Sequence, residues 1–414
     1  MNLKGSNTVL NFVKNFIYNF LSSALPTVVL QFVIQPILAR HLGSDIFGQY
    51  LTLMSLNFFI IAVTSAVLNT VRMLQDGEYR KLSIKGDFNL FLIVYAIIVT
   101  IVMPVGWVFY TKAANIFDII LYVLIGYLYL YHDYIFSQYR LKMQFSKVLI
   151  NNIILVGGYF IGLIAFIKWF HRWQMVVITA YFCGFIYDYF NTDFIKEPAR
   201  KTILFSSTLK RVKALTIANA LNYSVSYFDK LLLYPILGGA SVSVYNTASL
   251  VGKMLLLISS PLNSLVLSYL VKMKSLKLKL TKRQLAVFGL GAIGLYVVCV
   301  AVGIPLTKFL YPEWAHEAYR YIPITVAASV FTFIASLLNT FLVRFYDTNI
   351  QIVVQGANLA LYLVLSLSLL HFWSLLGFSI GVLLTAIIKM FALIVVLKKM
   401  PKYDDNNKLE GDIN

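Results

Sequence analysis

Along the chain, apolar residues neither alternate nor recur only every third or fourth place. They fill whole stretches of 20 residues or more with Leu, Ile, Val and Phe, and short polar clusters separate the stretches. A helix rises 1.5 Å per residue, so about 20 apolar residues cross the ~30 Å hydrocarbon core of a bilayer. On that basis the pattern predicts twelve spans, at roughly 12–38, 48–71, 88–110, 116–138, 148–168, 173–195, 214–236, 243–271, 284–307, 321–343, 349–370 and 375–397. Continuous apolar runs select helices over barrel strands, whose lipid-facing and lumen-facing residues alternate. The expected fold is an all-α polytopic membrane protein of about 12 transmembrane helices, with almost nothing left over for soluble domains.

Composition agrees. The 414 residues are 59% hydrophobic and 13% charged, against about 45–50% and about 25% in soluble proteins. The net charge of +18 would suggest nucleic acid in a soluble protein, but its distribution says otherwise. With the N-terminus inside, 26 of the 35 Lys and Arg fall on inner segments and 6 on outer loops (Arg40, Lys112, Lys168, Arg172, Lys308 and Arg320). That asymmetry is the positive-inside signature and predicts two cytoplasmic termini, with no nucleic-acid partner needed. The KSLKLKLTKR run reads as a stop-transfer element or as a patch for anionic head groups. The opening MNLKGSNTVLNFVKNF leads into an apolar stretch too long for a signal peptide, so the first span is expected to be retained. Cys183 and Cys299 lie inside apolar stretches, which predicts core residues and neither disulfide nor metal site.

An internal repeat organises the spans. QPILARHLGSDIFGQYLTL and LLLYPILGGASVSVYNTASL share a frame: at an offset of 195, Leu42-Gly43 falls on Leu237-Gly238 and Tyr50 on Tyr245. Each segment is the turn between the first and second helix of a six-helix half. Six spans return the chain to its starting side, so the halves are parallel repeats, 1–206 and 207–414, joined by the basic loop 196–213. Two such bundles across a central cavity suit alternating access.

A charge at mid-bilayer costs about 2.5–3.5 kcal/mol, so each intramembrane ionisable residue needs a reason. Lys253 lies near the middle of the eighth span, Asp229 and Lys230 near the outer end of the seventh, and Lys389 toward the inner third of the twelfth. Asp229 either pairs with Lys253 or Lys230 as a structural bridge, or the three lysines form a cationic cavity for a diphosphate headgroup. Arg72 and Arg40 close helix ends and either bind substrate or snorkel to head groups. Asp133, Asp188 and Asp193, near the inner face of the fourth and sixth spans, are candidates for a coupling proton or Na⁺, or are solvated at the interface. His132 adds a group that titrates near neutral pH. Tyr127, Tyr131 and Tyr134 form one stripe at helical spacing, for sugar contact or for helix packing. No Walker A loop, HExxH or nucleophile elbow is present, so neither ATP-driven transport nor hydrolysis is expected, and no cofactor.

The stretch SYFDKLLLYPILGGASVSVYNTASLVGKMLLLISSPLNSLVLSYL resembles the seventh and eighth helices of the polysaccharide-transport flippases of the multidrug/oligosaccharidyl-lipid/polysaccharide exporter (MOP) superfamily. ILARHLGSDIFGQY and SQYRLKMQFSKVLINN are similar to the same family. The resemblance implies the MATE-like fold of two six-helix bundles. It also implies translocation of an undecaprenyl-diphosphate-linked O-antigen, capsule or exopolysaccharide repeat unit across the bacterial cytoplasmic (inner) membrane. Partners would be that lipid-linked oligosaccharide, membrane lipid, and the polymerase and chain-length proteins of the same pathway. Arg72 stands where that family often has an arginine. Lipid II flippases usually have fourteen spans, for which this chain lacks room. Rival readings are a drug exporter of the same fold, which would place a carboxylate in its cavity, and a polysaccharide polymerase or ligase, which would need a sizeable external loop.

Overall fold

A computed structural model describes residues 24–270, 282–345 and 348–399. Most of the lysine-rich run, the start of the first expected span and the C-terminal tail lie outside these residues. Among the described residues the chain is all-helical. In order, the helices are α1 (Gln35–Val63), α2 (Ser65–Lys81), α3 (Asp87–Thr111), α4 (Ile116–Leu141), α5 (Phe145–Ala165), α6 (Gln174–Asn191), α7 (Phe205–Leu270), α8 (Lys282–Leu310), the short α9 (Ala315–Tyr319), α10 (Ile322–Phe345) and α11 (Thr348–Lys399). Eight helical stretches are long and apolar enough to cross a membrane, which makes this a multi-pass membrane protein. Three of those stretches each hold two expected spans, broken at Gly43, at Gly238 and at Trp373–Ser374.

The first two breaks are the same break. Gly43 has φ 71°, ψ 169° and Gly238 has φ 80°, ψ 176°. This corner of backbone space is essentially closed to any residue with a Cβ. The two glycines that align in the sequence therefore make one and the same sharp corner. The third helix of each half also carries a proline near its C-terminal end, Pro104 in α3 and Pro305 in α8.

The chain divides into two compact units, Met1–Ala240 and Ser241–Asn414. In the first, α3 shows how these helices solve the lipid problem. Ile97, Ile101 and Val105 line an outward face at helical spacing, 55–64% exposed to what is lipid in the cell. Tyr95, Val99, Met103 and Trp107 recur on the opposite face and are buried. The apolar exterior needs no water, so the interior is free to hold aromatic and polar groups. Also in this unit, Gly48 of α1 packs against the backbone of Gly239 in α7, where a Cβ on Gly48 would run into the Gly239 carbonyl. Beside it the Asp45 carboxylate accepts the Ala240 N–H at 3.0 Å. Ala240 is the residue 195 places on, so the two equivalent turns meet at equivalent positions.

In the second unit, α10 and α11 pack through Ala335, Leu342 and Leu393, with Leu338, Val354 and Met390 around them. The two arms of α11 fold back at Ser374 (φ 49°), and Gly381 comes so close to Ser366 that a Cβ would lie 2.6 Å from its Cα.

Candidate functional site

The ionisable residues singled out in the sequence fall into three environments. The first is a polar lock at one end of the first unit. Arg72, on α2, is buried. Its Nη2 reaches Glu197 at 2.8 Å, its Nη1 donates to Tyr134 Oη of α4 at 2.6 Å, and its guanidinium lies 3.5 Å from the centre of the Phe194 ring. Glu197 belongs to the segment that follows α6, and that segment is stitched down along its length. Asn89 Nδ2 donates to the carbonyls of Phe194 and Glu197 at 2.9 and 2.8 Å. Gln138 Oε1 accepts the N–H groups of Asp193 and Phe194 at 3.0 Å each. Asp87, at the start of α3 and fully buried, accepts from the Thr202 N–H at 2.8 Å and from Tyr79 Oη at 2.6 Å. Arg72 thus does not snorkel to head groups; it anchors the segment that leads out of the first six helices. Tyr134 serves the same lock, while Tyr127 bonds Thr100 at a half-exposed position. The tyrosine stripe therefore packs helices at one end and does not form a single wall.

The second environment is a carboxylate cluster deeper in the same unit. Asp188 of α6 is fully buried and accepts from Tyr139 Oη at 2.8 Å and Asn151 Nδ2 at 2.5 Å. His132 Nδ1 stands 3.8 Å from its other oxygen. Asp133 accepts from Ser65 Oγ at 3.1 Å, and its backbone carbonyl from Asn69 Nδ2 at 3.0 Å. Stacked rings of Tyr129 and Tyr181, 3.7 Å between centres, lie alongside. Asp188 and Asp133 are thus drawn into one interior cluster with His132, whereas Asp193 is not. Its side chain is 70% exposed and pairs with Lys142 at 3.1 Å, which holds its carboxyl below the usual range. Arg40 is exposed at the turn.

The third environment is intramembrane lysine. Lys230 pairs with its neighbour Asp229 at 3.7 Å, both buried on α7. In the second unit Lys253 stands 5.9 Å from the Tyr245 ring centre, a distance at which an ammonium still feels the π-face. Lys389 donates to Gln355 Oε1 at 3.2 Å, and Gln355 in turn to Asn339 Oδ1 at 3.4 Å, inside the apolar packing of α10 and α11. One signal bears on these lysines. From Ser241 to Pro312 the chain has no Asp or Glu, nor has α10 or α11; Asp347 falls between those two. The part of α7 beyond Ala240, α8, α10 and α11 thus carry no Asp or Glu of their own, and Asp229 lies earlier on α7.

No family model and no curated protein matches the chain. Solved structures do. A lipid II flippase, MurJ, in an inward closed conformation, has a TM-score of 0.69 at 14% identity over 94% of this chain and 88% of its own. An inward-facing multidrug-resistance MATE family transporter of the MOP superfamily scores 0.62 at 11% identity, over 92% and 98%. The Vibrio cholerae MATE transporter VcmN in its bent form scores 0.58 at 14%, over 93% and 95%. The chain has the fold these proteins share.

Proposed function

We propose that the protein is a flippase that carries an undecaprenyl-diphosphate-linked oligosaccharide repeat unit, of O-antigen or capsule type, from the inner to the outer leaflet of a bacterial cytoplasmic membrane by alternating access. The observation that carries this reading is the charge of the second unit: Lys253 and Lys389 lie within helices whose sequence from Ser241 to Pro312, and through α10 and α11, holds no Asp or Glu. A diphosphate is the ligand such helices favour, because an intramembrane ammonium needs an anion or water and a drug cation would meet repulsion. The fold shared with a lipid II flippase supports a lipid-linked substrate, and the positive-inside asymmetry supports an inner-membrane protein with both termini in the cytoplasm. Arg72 belongs to the scaffold in this reading, and Asp229 with Lys230 forms a local pair beside the route. The protein catalyses no bond change; polymerase and chain-length proteins act on the repeat unit after it has crossed.

The test is a strain whose single copy carries Lys253→Ala with Lys389→Ala. Thin-layer analysis of its lipids should show the lipid-linked repeat unit accumulating with the protein still in the membrane. Normal export from that strain contradicts the proposal.

A further inference from the structure

Among the buried polar atoms of the first unit that lack hydrogen-bond partners, three gather at one carboxylate. Both donors to Asp188, Tyr139 and Asn151, meet the same oxygen, Oδ1. Oδ2 has no hydrogen-bond partner, although the residue is fully buried. The same holds for Oδ1 of Asn151, itself fully buried, and for Nδ1 of His132, the atom facing Oδ2 at 3.8 Å. Space is kept among them by Gly184, where a Cβ would stand 3.0 Å from Asn151 Oδ1 and 3.9 Å from His132 Nδ1. Asp188 Oδ2 and Asn151 Oδ1 can only accept, and buried polar atoms in folded proteins are almost always paired. What these acceptors lack is a donated hydrogen, and beside the ionised carboxylate a cationic donor is the stronger one.

We propose that His132 and Asp188 form a single-proton site inside the first unit, in which a proton bound at His132 Nδ1 is donated to Oδ2 of Asp188. The proton comes from a hydronium ion of the solvent, whose O–H bond breaks to leave water, and adds to the Nδ1 lone pair; Nε2 keeps its hydrogen and the carboxylate stays ionised. A small rotation of the imidazole shortens 3.8 Å to the ~2.7–2.9 Å of a charge-assisted hydrogen bond. Three helices of the first unit face the pair directly. From α4 come Tyr131, Tyr139 and Asp133; from α5, Asn151; from α6, Tyr181, whose ring meets His132 edge-on with 5.0 Å between centres. Asp133 is the second carboxyl group nearby, with Ser65 of α2 bonded to it and Tyr223 and Tyr227 of α7 near it. Arg140, the arginine that acts on Asp133, is exposed at the end of α4. An imidazole nitrogen among the facing atoms suits a proton better than a hard metal cation, which prefers an all-oxygen shell. The inference goes beyond the proposed transport reading, which names no coupling ion, and stands without it.

Histidine chemistry makes the test direct, because His41, His171, His316 and His371 are all exposed. Changing those four to Gln leaves His132 as the one imidazole in a full-length chain. In lipid nanodiscs at neutral pH, ¹⁵N NMR of that protein should show His132 with a proton on both ring nitrogens, the one on Nδ1 shared with Asp188. Adding Asp188→Asn should return the ring to its neutral form, since a buried imidazolium then loses its counter-charge. A neutral His132 in the four-glutamine protein, or a doubly protonated ring that Asp188→Asn leaves unchanged, overturns the proposal. So does displacement of the protonated form by sodium at constant ionic strength, which would assign the site to that ion. If Asp188→Asn does not assemble, the protonation state of His132 in the four-glutamine protein alone decides.

Discussion

The two units treat intramembrane charge in opposite ways. In the first, Asp87, Asp133, Asp188, Glu197 and Asp229 each have a hydrogen-bond donor or an ion partner. Each charge is also enclosed by helices of the same unit. In the second, Lys253 and Lys389 lie on helical stretches whose sequence from Ser241 to Pro312, and through α10 and α11, holds no Asp or Glu. A buried ion pair holds elements in place, and removing one partner leaves the other charge stranded. An intramembrane lysine raises the local demand for an anion or for water. The first arrangement builds a scaffold, and the second is the one that the proposed function assigns to the substrate.

Substitutions that uncouple stability from transport test that contrast. The largest effect is expected from Lys253→Ala with Lys389→Ala: export should be lost while membrane abundance is kept, and Lys→Arg at both positions should restore part of it because the charge remains. Quantitative immunoblots beside export assays separate the two readouts. Arg72→Ala should do the reverse, lowering thermal stability and abundance through a loss of about 3–5 kcal/mol, with Arg72→Met plus Glu197→Leu recovering most of it. Gly48→Ala should cost about 1–3 kcal/mol, because the new methyl group meets the Gly239 carbonyl; a melting curve of the purified protein measures it. Smallest is Lys142→Ala. Its partner Asp193 is solvent-exposed, so stability should change by under ~0.5 kcal/mol. The lowered Asp193 carboxyl means that even this contribution disappears only as pH falls to the low end of the carboxylate range.

Much of this architecture is legible in the sequence because the bilayer leaves few alternatives. Apolar run length marks the spans, and the Leu-Gly pairs 195 residues apart mark corners that turn out to share one backbone geometry. The partners of the charges are not legible in the same way. Arg72 and Glu197 are 125 residues apart, and Glu197 sits in a basic loop whose composition reads as a solvated connector. Only the docking of that loop onto α2, α3 and α4 makes Arg72 part of a lock. His132 is adjacent to Asp133 in sequence, yet its imidazole faces Asp188 on another helix. Residues one apart on a helix point about 100° away from each other, so sequence adjacency is a poor guide to side-chain pairing. The lack of acidic residues in the long helices of the second unit, by contrast, can be read directly and is the sequence feature that bears most on the site.

The most direct measurement is binding of an undecaprenyl-diphosphate-linked oligosaccharide to the purified full-length protein, compared by native mass spectrometry with the Lys253→Ala, Lys389→Ala variant. If the second unit's lysines receive the diphosphate, the variant should bind at least ~10-fold more weakly, a loss of about 1.4 kcal/mol, while binding of a neutral polyprenol is unchanged. Equal affinity of both proteins for the diphosphate-linked lipid would contradict the account.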